Sequence, residues 1–228
     1  MPDSARLRGR CPDRFVGVQR MPTLRQLADQ HGTLLVLDAC SSRVHAGWCP
    51  LAGAARWQSV TGEAGIALFQ ALEGLGHPAA DAGAWVYCDG PGSILGIRTA
   101  AMAIRAWSVL APKPVYAYHS LTLLVAGLGD PEVTAIADAR RDRWHCVSAA
   151  RPLGRVPTAA LPGKLVRPDG FRVWSALPHP VATVPYDVPD LLSRVADVDL
   201  FRSIAAPDAF LHEEPSYAKW TPQIHRAP

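Results

Sequence analysis

The sequence predicts an α/β protein with a mixed sheet and helices packed on its faces. Two observations carry this. Short β-rich apolar runs at Thr33–Ala39, Ala84–Cys88 and Val133–Asp138 read as buried strands, and segments of helical period lie between them. Strand, hairpin, helix, strand, helix, strand, helix, strand, strand is the order of a layered α/β sheet.

The elements follow in turn. Thr33–Ala39 is a buried strand, and Val44–Cys49 is its hairpin partner across a tight Ser41-Ser42-Arg43 turn. A helix is predicted from about 62 to 75, with Leu68, Leu72 and Leu75 as its core stripe; Gly74–Pro78 stops it. Ala84–Cys88 runs through Asp89-Gly90-Pro91-Gly92-Ser93 into a helix over about 94–110. That helix buries Ile97, Ala101 and Ile104 and ends at Pro112 and Pro114. Val115–Tyr118 is a short strand. Ser120 then caps a helix over 121–127. Val133–Asp138 and Trp144–Ala149 are strands joined by the charged turn 139–143. Residues 151–190 are proline-rich, with short strands between loops. A weak helix runs over 188–196, and the tail from Pro207 is polar.

Composition narrows the class. The chain has 228 residues, 49% hydrophobic and 19% charged, with net charge +3. That balance excludes disorder of the whole chain, and no apolar run spans a bilayer. Residues 1–30 hold six Arg against three Asp, so they carry the whole net charge. They read as an Arg-rich disordered leader, with Met21 as an alternative start. No apolar region follows to make a secretion signal. The remainder is neutral and shows no broadly basic body. Five Cys without a C-x-x-C pair, and eight His without H-x-x-x-H, argue against structural zinc and for reduced thiols in a cytoplasmic protein. Cys40, Cys88 and Cys146 read as small core residues.

Three places could carry chemistry. Gly90-Pro91-Gly92-Ser93 sits between strand and helix, where glycines allow close backbone approach and the helix start offers free amides to a phosphate. A plain strand-to-helix turn capped by Ser93 is the competing reading. Asp38 ends the first strand and could hold a cation through water, or simply bind the amides of its own turn. Asp138 ends a later strand ahead of Arg140, Arg141 and Arg143 and could answer Asp38 across a cleft, or close a solvated hairpin. His119-Ser120 and His145-Cys146 are adjacent pairs and read as packing.

Leu35–Ser41 (LVLDACS), Gly90–Arg98 (GPGSILGIR), Ser120-Leu121 and Ala135–Arg140 (AIADAR) occur in an order and spacing that resembles the bacterial TsaB (YeaZ) family. Gly90, Pro91, Gly92, Ser93, Gly96 and Arg98 match its central G-P-G-S-F-T-G-[LV]-R motif, and Glu214–Tyr217 is similar to its C-terminal P-x-Y segment. Ala39, Cys40 and Ser41 stand where the family has Thr, Ser and Thr, and Ile94-Leu95 replaces Phe-Thr. The resemblance covers about residues 33–150.

It implies an actin-like ATPase (ribonuclease H-like) two-lobed fold with mixed sheets, flanking helices and a reduced second lobe. The lobes would be residues 31–112, with the two long helices, and 113–228. It implies a non-catalytic, cytoplasmic subunit that pairs 1:1 with TsaD and, with the TsaE ATPase, supports transfer of threonylcarbamoyl to N6 of adenosine 37 in tRNAs reading codons that start with A. No cofactor is expected to bind this chain tightly; ATP and divalent metal belong to the partners, and tRNA is met through the complex. The two helices form the family's contact surface. Ile66, Phe69, Gln70, Glu73, Arg98, Met102, Arg105 and Val109 are the interface candidates, and the chain alone could form a homodimer through the same face. Asp38, Ser41, Gly90, Gly92, Ser93 and Asp138 form a vestigial phosphate or metal site, with no metal bound. The alternatives are an ATP-dependent phospho- or acyl-transferase of the same superfold and a glycoprotease-like peptidase.

Overall fold

The computed structural model describes residues 21–177 and 179–210. The chain enters through helix α1 (Leu24–His31), held by a capping box between Thr23 and Gln26. The expected leader over residues 1–30 is therefore corrected at its end. Leu27 is fully buried and Arg25 pairs with Asp197 at 2.7 Å, so tertiary packing fixes this short helix. Residues 1–20 and Glu214–Tyr217 lie outside the described residues.

Strands β1 (Leu34–Asp38), β2 (Arg43–Cys49) and β3 (Arg56–Thr61) form an antiparallel meander. Helix α2 (Ala64–Leu75) leads to β4 (Ala84–Gly90), helix α3 (Ile94–Leu110) to β5 (Val115–His119), and α4 (Ser120–Leu128) follows. β4 and β5 lie parallel to β1, giving the order β3-β2-β1-β4-β5. A late strand, β11 (Arg202–Ser203), adds to the β5 edge.

The second sheet repeats that order. β6 (Val133–Asp138), β7 (Arg143–Ser148) and β8 (Arg151–Pro157) make a meander; β9 (Lys164–Pro168) and β10 (Ala182–Val184) run parallel to β6. The result is β8-β7-β6-β9-β10, the same arrangement strand for strand. Where the first sheet has α2 and α3, the second has a 3₁₀ turn (Thr158–Ala160) and a loop over 169–181. Helix α5 (Val188–Arg194) follows β10. The architecture is thus the two-lobed, mixed-sheet actin-like fold with a reduced second lobe. The first sheet reaches past residue 112, because β5 and β11 complete it.

Period-2 alternation sorts the core. Leu35, Leu37, Trp85 and Tyr87 face α2 and α3. Leu34, Val36, Ala84, Val86 and Cys88 face α1 and α4. Because α4 also packs on β6 and β7, this second cluster runs on into Val133, Ala135 and Val166 and joins the two sheets in one core.

Three expectations shift. β3 and α1 are additional elements. The cap of α4 is His119, not Ser120: Ser120 is the helix's first residue, and its buried hydroxyl donates to the Pro91 carbonyl at 2.5 Å. No helix among the described residues is long and apolar enough to cross a membrane.

Candidate functional site

Alternation along β1 turns Asp38 to the same face as Leu34 and Val36, into the core shared by the two sheets. Its carboxylate is fully buried. Oδ1 accepts the Cys40 amide at 3.0 Å, and Oδ2 accepts the hydroxyls of Tyr118 and Tyr186, each at 2.8 Å. Asp38 thus closes its own turn and meets two phenols supplied by β5 and by the segment after β10. Cys40 and Cys88 lie beside it; the three ligating atoms fall within 4.8 Å of one another. Burial pushes both thiols up, Cys88 to about 11, and pushes the Tyr118 and Tyr186 phenols up as well. A thiophilic cation could bind such donors only by displacing both thiol protons in a place without solvent. Opposite Asp38 in the register, His45 bonds Ser59 at 2.8 Å, and burial lowers its pKa, which keeps the ring neutral.

The glycine turn packs against this same corner. The Ser93 amide donates to the Cys40 carbonyl at 2.7 Å. A Cβ on Gly92 would fall 2.3 Å from that carbonyl oxygen, and one on Gly96 would fall 2.0 Å from the Ala39 oxygen. Gly90 (φ 114°) adopts a backbone that side chains avoid. The close approach that glycine permits is used by the chain's own backbone. Ser93 caps α3 by accepting the Gly96 amide at 3.3 Å. The Ser41 hydroxyl bonds the backbone of Arg43. Beside it opens a polar cavity of about 240 Å³, lined by Ser41, Ser42, Arg43, Thr61, Gly170 and Tyr186 among others.

The structure therefore brings Asp38, Ser41, Gly90, Gly92 and Ser93 together around Cys40. Asp138 keeps separate company at the end of β6. It accepts the amides of Arg140 (2.6 Å), Trp174 (2.7 Å) and Ser175 (2.5 Å). Burial would raise its pKa; the bonds from Ser175, Arg140 and Trp174 outweigh that and hold it below the usual carboxylate range.

A different geometry holds on the outer face of α2 and α3, which pack on one another. Ile66, Phe69, Gln70, Glu73, Arg98, Met102, Arg105 and Val109 are all exposed. Leu68, Ala71, Ile97, Ala101 and Ile104 take the buried side. Leu95, 66% exposed, extends the stripe toward the helix start. Its spacing from Arg98, Met102 and Val109 follows the helix period, which was the signal available for it. Arg98 also pairs with Asp208 at 3.6 Å.

Sequence reasoning missed one more cluster. Asp89, almost fully buried, accepts His119 Nδ1 at 2.9 Å and Arg202 Nη2 at 2.6 Å. This ties β4, β5 and β11 together at one end of the first sheet.

Duplicated strand order, a common core and a helix pair with an exposed apolar face define the class: a two-lobed protein of actin-like ATPase architecture. Solved structures agree. A protein from Pseudomonas aeruginosa described as uncharacterized with similarity to peptidase YEAZ superposes with a TM-score of 0.55 at 21% identity, over 72% of this chain and 89% of that one. YeaZ from Pseudomonas aeruginosa gives 0.54 at 22% identity, over 72% and 90%. No family model matches the chain. No curated protein matches it in sequence.

Proposed function

We propose that the chain is a non-catalytic subunit of the TsaB (YeaZ) kind, which binds a TsaD subunit 1:1 through α2 and α3. In that role it supports, with TsaE, the transfer of threonylcarbamoyl to N6 of adenosine 37 of tRNA in the bacterial cytoplasm. ATP and divalent metal then act on the partners. The observation that carries the reading is the exposed stripe of Leu95, Met102 and Val109 on α3 beside Ile66 and Phe69 on α2. Large apolar residues left exposed together on one helix pair mark a partner surface more often than chance. The likeness in fold to YeaZ supports the same reading. A transferase reading needs a cleft at Asp38, whose oxygens are taken by Cys40, Tyr118 and Tyr186. As for a peptidase, of the hydroxyls next to a histidine, Ser120 bonds Pro91, and the His45 that bonds Ser59 is buried.

The test is size-exclusion chromatography with light scattering on the chain alone and mixed with TsaD from the same source. A 1:1 complex that replaces a free monomer or homodimer, and that Met102→Glu abolishes, supports the reading. Absence of any complex, with ATP and tRNA supplied, refutes it.

A further inference from the structure

The turn between β6 and β7 is built at a conformational cost. Arg140, Arg141 and Asp142 hold φ values of 61°, 53° and 57°, three successive left-handed residues that all carry a Cβ. Hydrogen bonds lock them there: Asp138 accepts the Arg140 amide, Arg143 N–H donates to the Arg140 carbonyl at 3.2 Å, and Thr158 N–H donates to the Asp142 carbonyl at 3.1 Å. Strain of this kind, held in place by its surroundings, accumulates at functional positions.

What the turn presents is specific. The Arg140 guanidinium lies 4.3 Å from the ring centre of Trp174. Trp174 is 55% exposed even so, and its loop is fixed by the two amides that Asp138 accepts. Arg141 and Arg143 in the same turn and Arg172 two residues before Trp174 are exposed, and none of the four arginines has a carboxylate partner among the described residues. The nearest acids are engaged: Asp138 by three amides, Asp142 by the Thr158 hydroxyl.

We propose that this tip of the second sheet binds a single-stranded segment of nucleic acid, with phosphodiesters on the arginines and an unpaired base against Trp174. Guanidinium groups match phosphate oxygens, and an exposed indole braced on one face by a guanidinium offers a stacking surface. An acidic peptide would use the arginines and leave the ring without a role. The site lies on another sheet from the α2–α3 face and stands without the partner-subunit reading.

Fluorescence anisotropy of the full chain with fluorescein-labelled single-stranded RNA and DNA, over a salt series, tests it. Binding to either strand is expected. The double variant Arg141→Glu/Arg143→Glu should weaken it by about 10-fold or more and flatten the salt slope by roughly 0.7 for each phosphate that is no longer neutralised. Trp174→Ala should weaken it by about 5-fold or more. Arg172→Glu, outside the strained turn, repeats the test should the double variant melt early. No binding at low salt overturns the proposal. Equal binding by all variants also overturns it and puts the affinity elsewhere on the chain. Loss with the arginine variants but not with Trp174→Ala, together with full competition by polyglutamate, overturns it in favour of an acidic-peptide site.

Discussion

The Tyr186 hydroxyl donates to the Asp38 carboxylate at 2.8 Å across 148 residues of sequence. The bond joins the end of β1 in the first sheet to the segment that follows β10 in the second. Both residues are buried, so the two lobes share a polar contact in the middle of their common apolar core. Drawing the lobes apart at this point would strip donors from a carboxylate in a low-dielectric place. The Asp38 corner is thus a clamp between the two sheets.

Tyr186→Phe keeps the ring and removes one of the three donors to Asp38. It should destabilise the fold by about 1–3 kcal/mol, the range for leaving a buried acceptor short of a partner. Urea unfolding measures it; a change within about 0.3 kcal/mol would show that the clamp carries no energy.

Gly96→Ala places a methyl 2.0 Å from the Ala39 oxygen, a backbone atom, with no flexible side chain to yield. The start of α3 must then lift from the end of β1, at about 1–3 kcal/mol or more. Gly76→Ala is the contrast: its φ is 70°, with nothing within 4 Å of the added carbon, so only the left-handed backbone opposes it, at about 1 kcal/mol. Thermal melting should rank Gly96→Ala as the more damaging.

Alkaline pH should weaken the fold through the same corner. Burial raises Cys40, Cys88, Tyr118 and Tyr186 above their ordinary values of 9.0 for the thiols and 10.0 for the phenols. The unfolded chain therefore loses these protons first and binds fewer than the native state, so stability falls as pH rises. Their contribution is intact below pH 9.0 and declines from there through about 11, the value for Cys88. Urea midpoints across this range should fall steadily, and Cys40→Ala/Cys88→Ala should make the slope shallower. An unchanged slope in that variant would exclude the thiols as its source.

Much of this fold is written in local pattern. Leu34–Asp38 and Ala84–Gly90 are buried along their whole length, and the apolar runs Leu34–Leu37 and Ala84–Cys88 show it. The eight helix-face candidates are exposed because the 3.6-residue period of α2 and α3 leaves them on the side away from the sheet. What escaped is of two kinds. β3 mixes Arg56, Gln58 and Ser59 with Trp57 and Val60, since an edge strand needs only half a face. Thr23-x-x-Gln26 is a legible capping box, but it stands at the end of an Arg-rich stretch whose charge masks it. The second kind is non-local. Nothing in the sequence around Asp38 announces Tyr118 or Tyr186, and nothing around Asp138 announces Trp174. The duplicated strand order is equally hidden, because the second sheet has lost the two helices whose period would mark it.

The exposed stripe on α3 separates folding from assembly. Leu95, Met102 and Val109 are 66%, 58% and 83% exposed, so little of their apolar surface leaves water when the monomer folds. Leu95→Glu and Met102→Glu should each change the unfolding free energy by no more than about 0.5 kcal/mol, as exposed substitutions do. In an interface, however, the same change buries an unpaired carboxylate against an apolar partner, which is costly enough to dissociate it. Urea unfolding at low protein concentration and light scattering at high concentration therefore give opposite answers if the stripe is a docking face: unchanged stability, abolished assembly. Equal damage in both would mean that these residues support the fold itself, and the docking surface would have to be sought elsewhere.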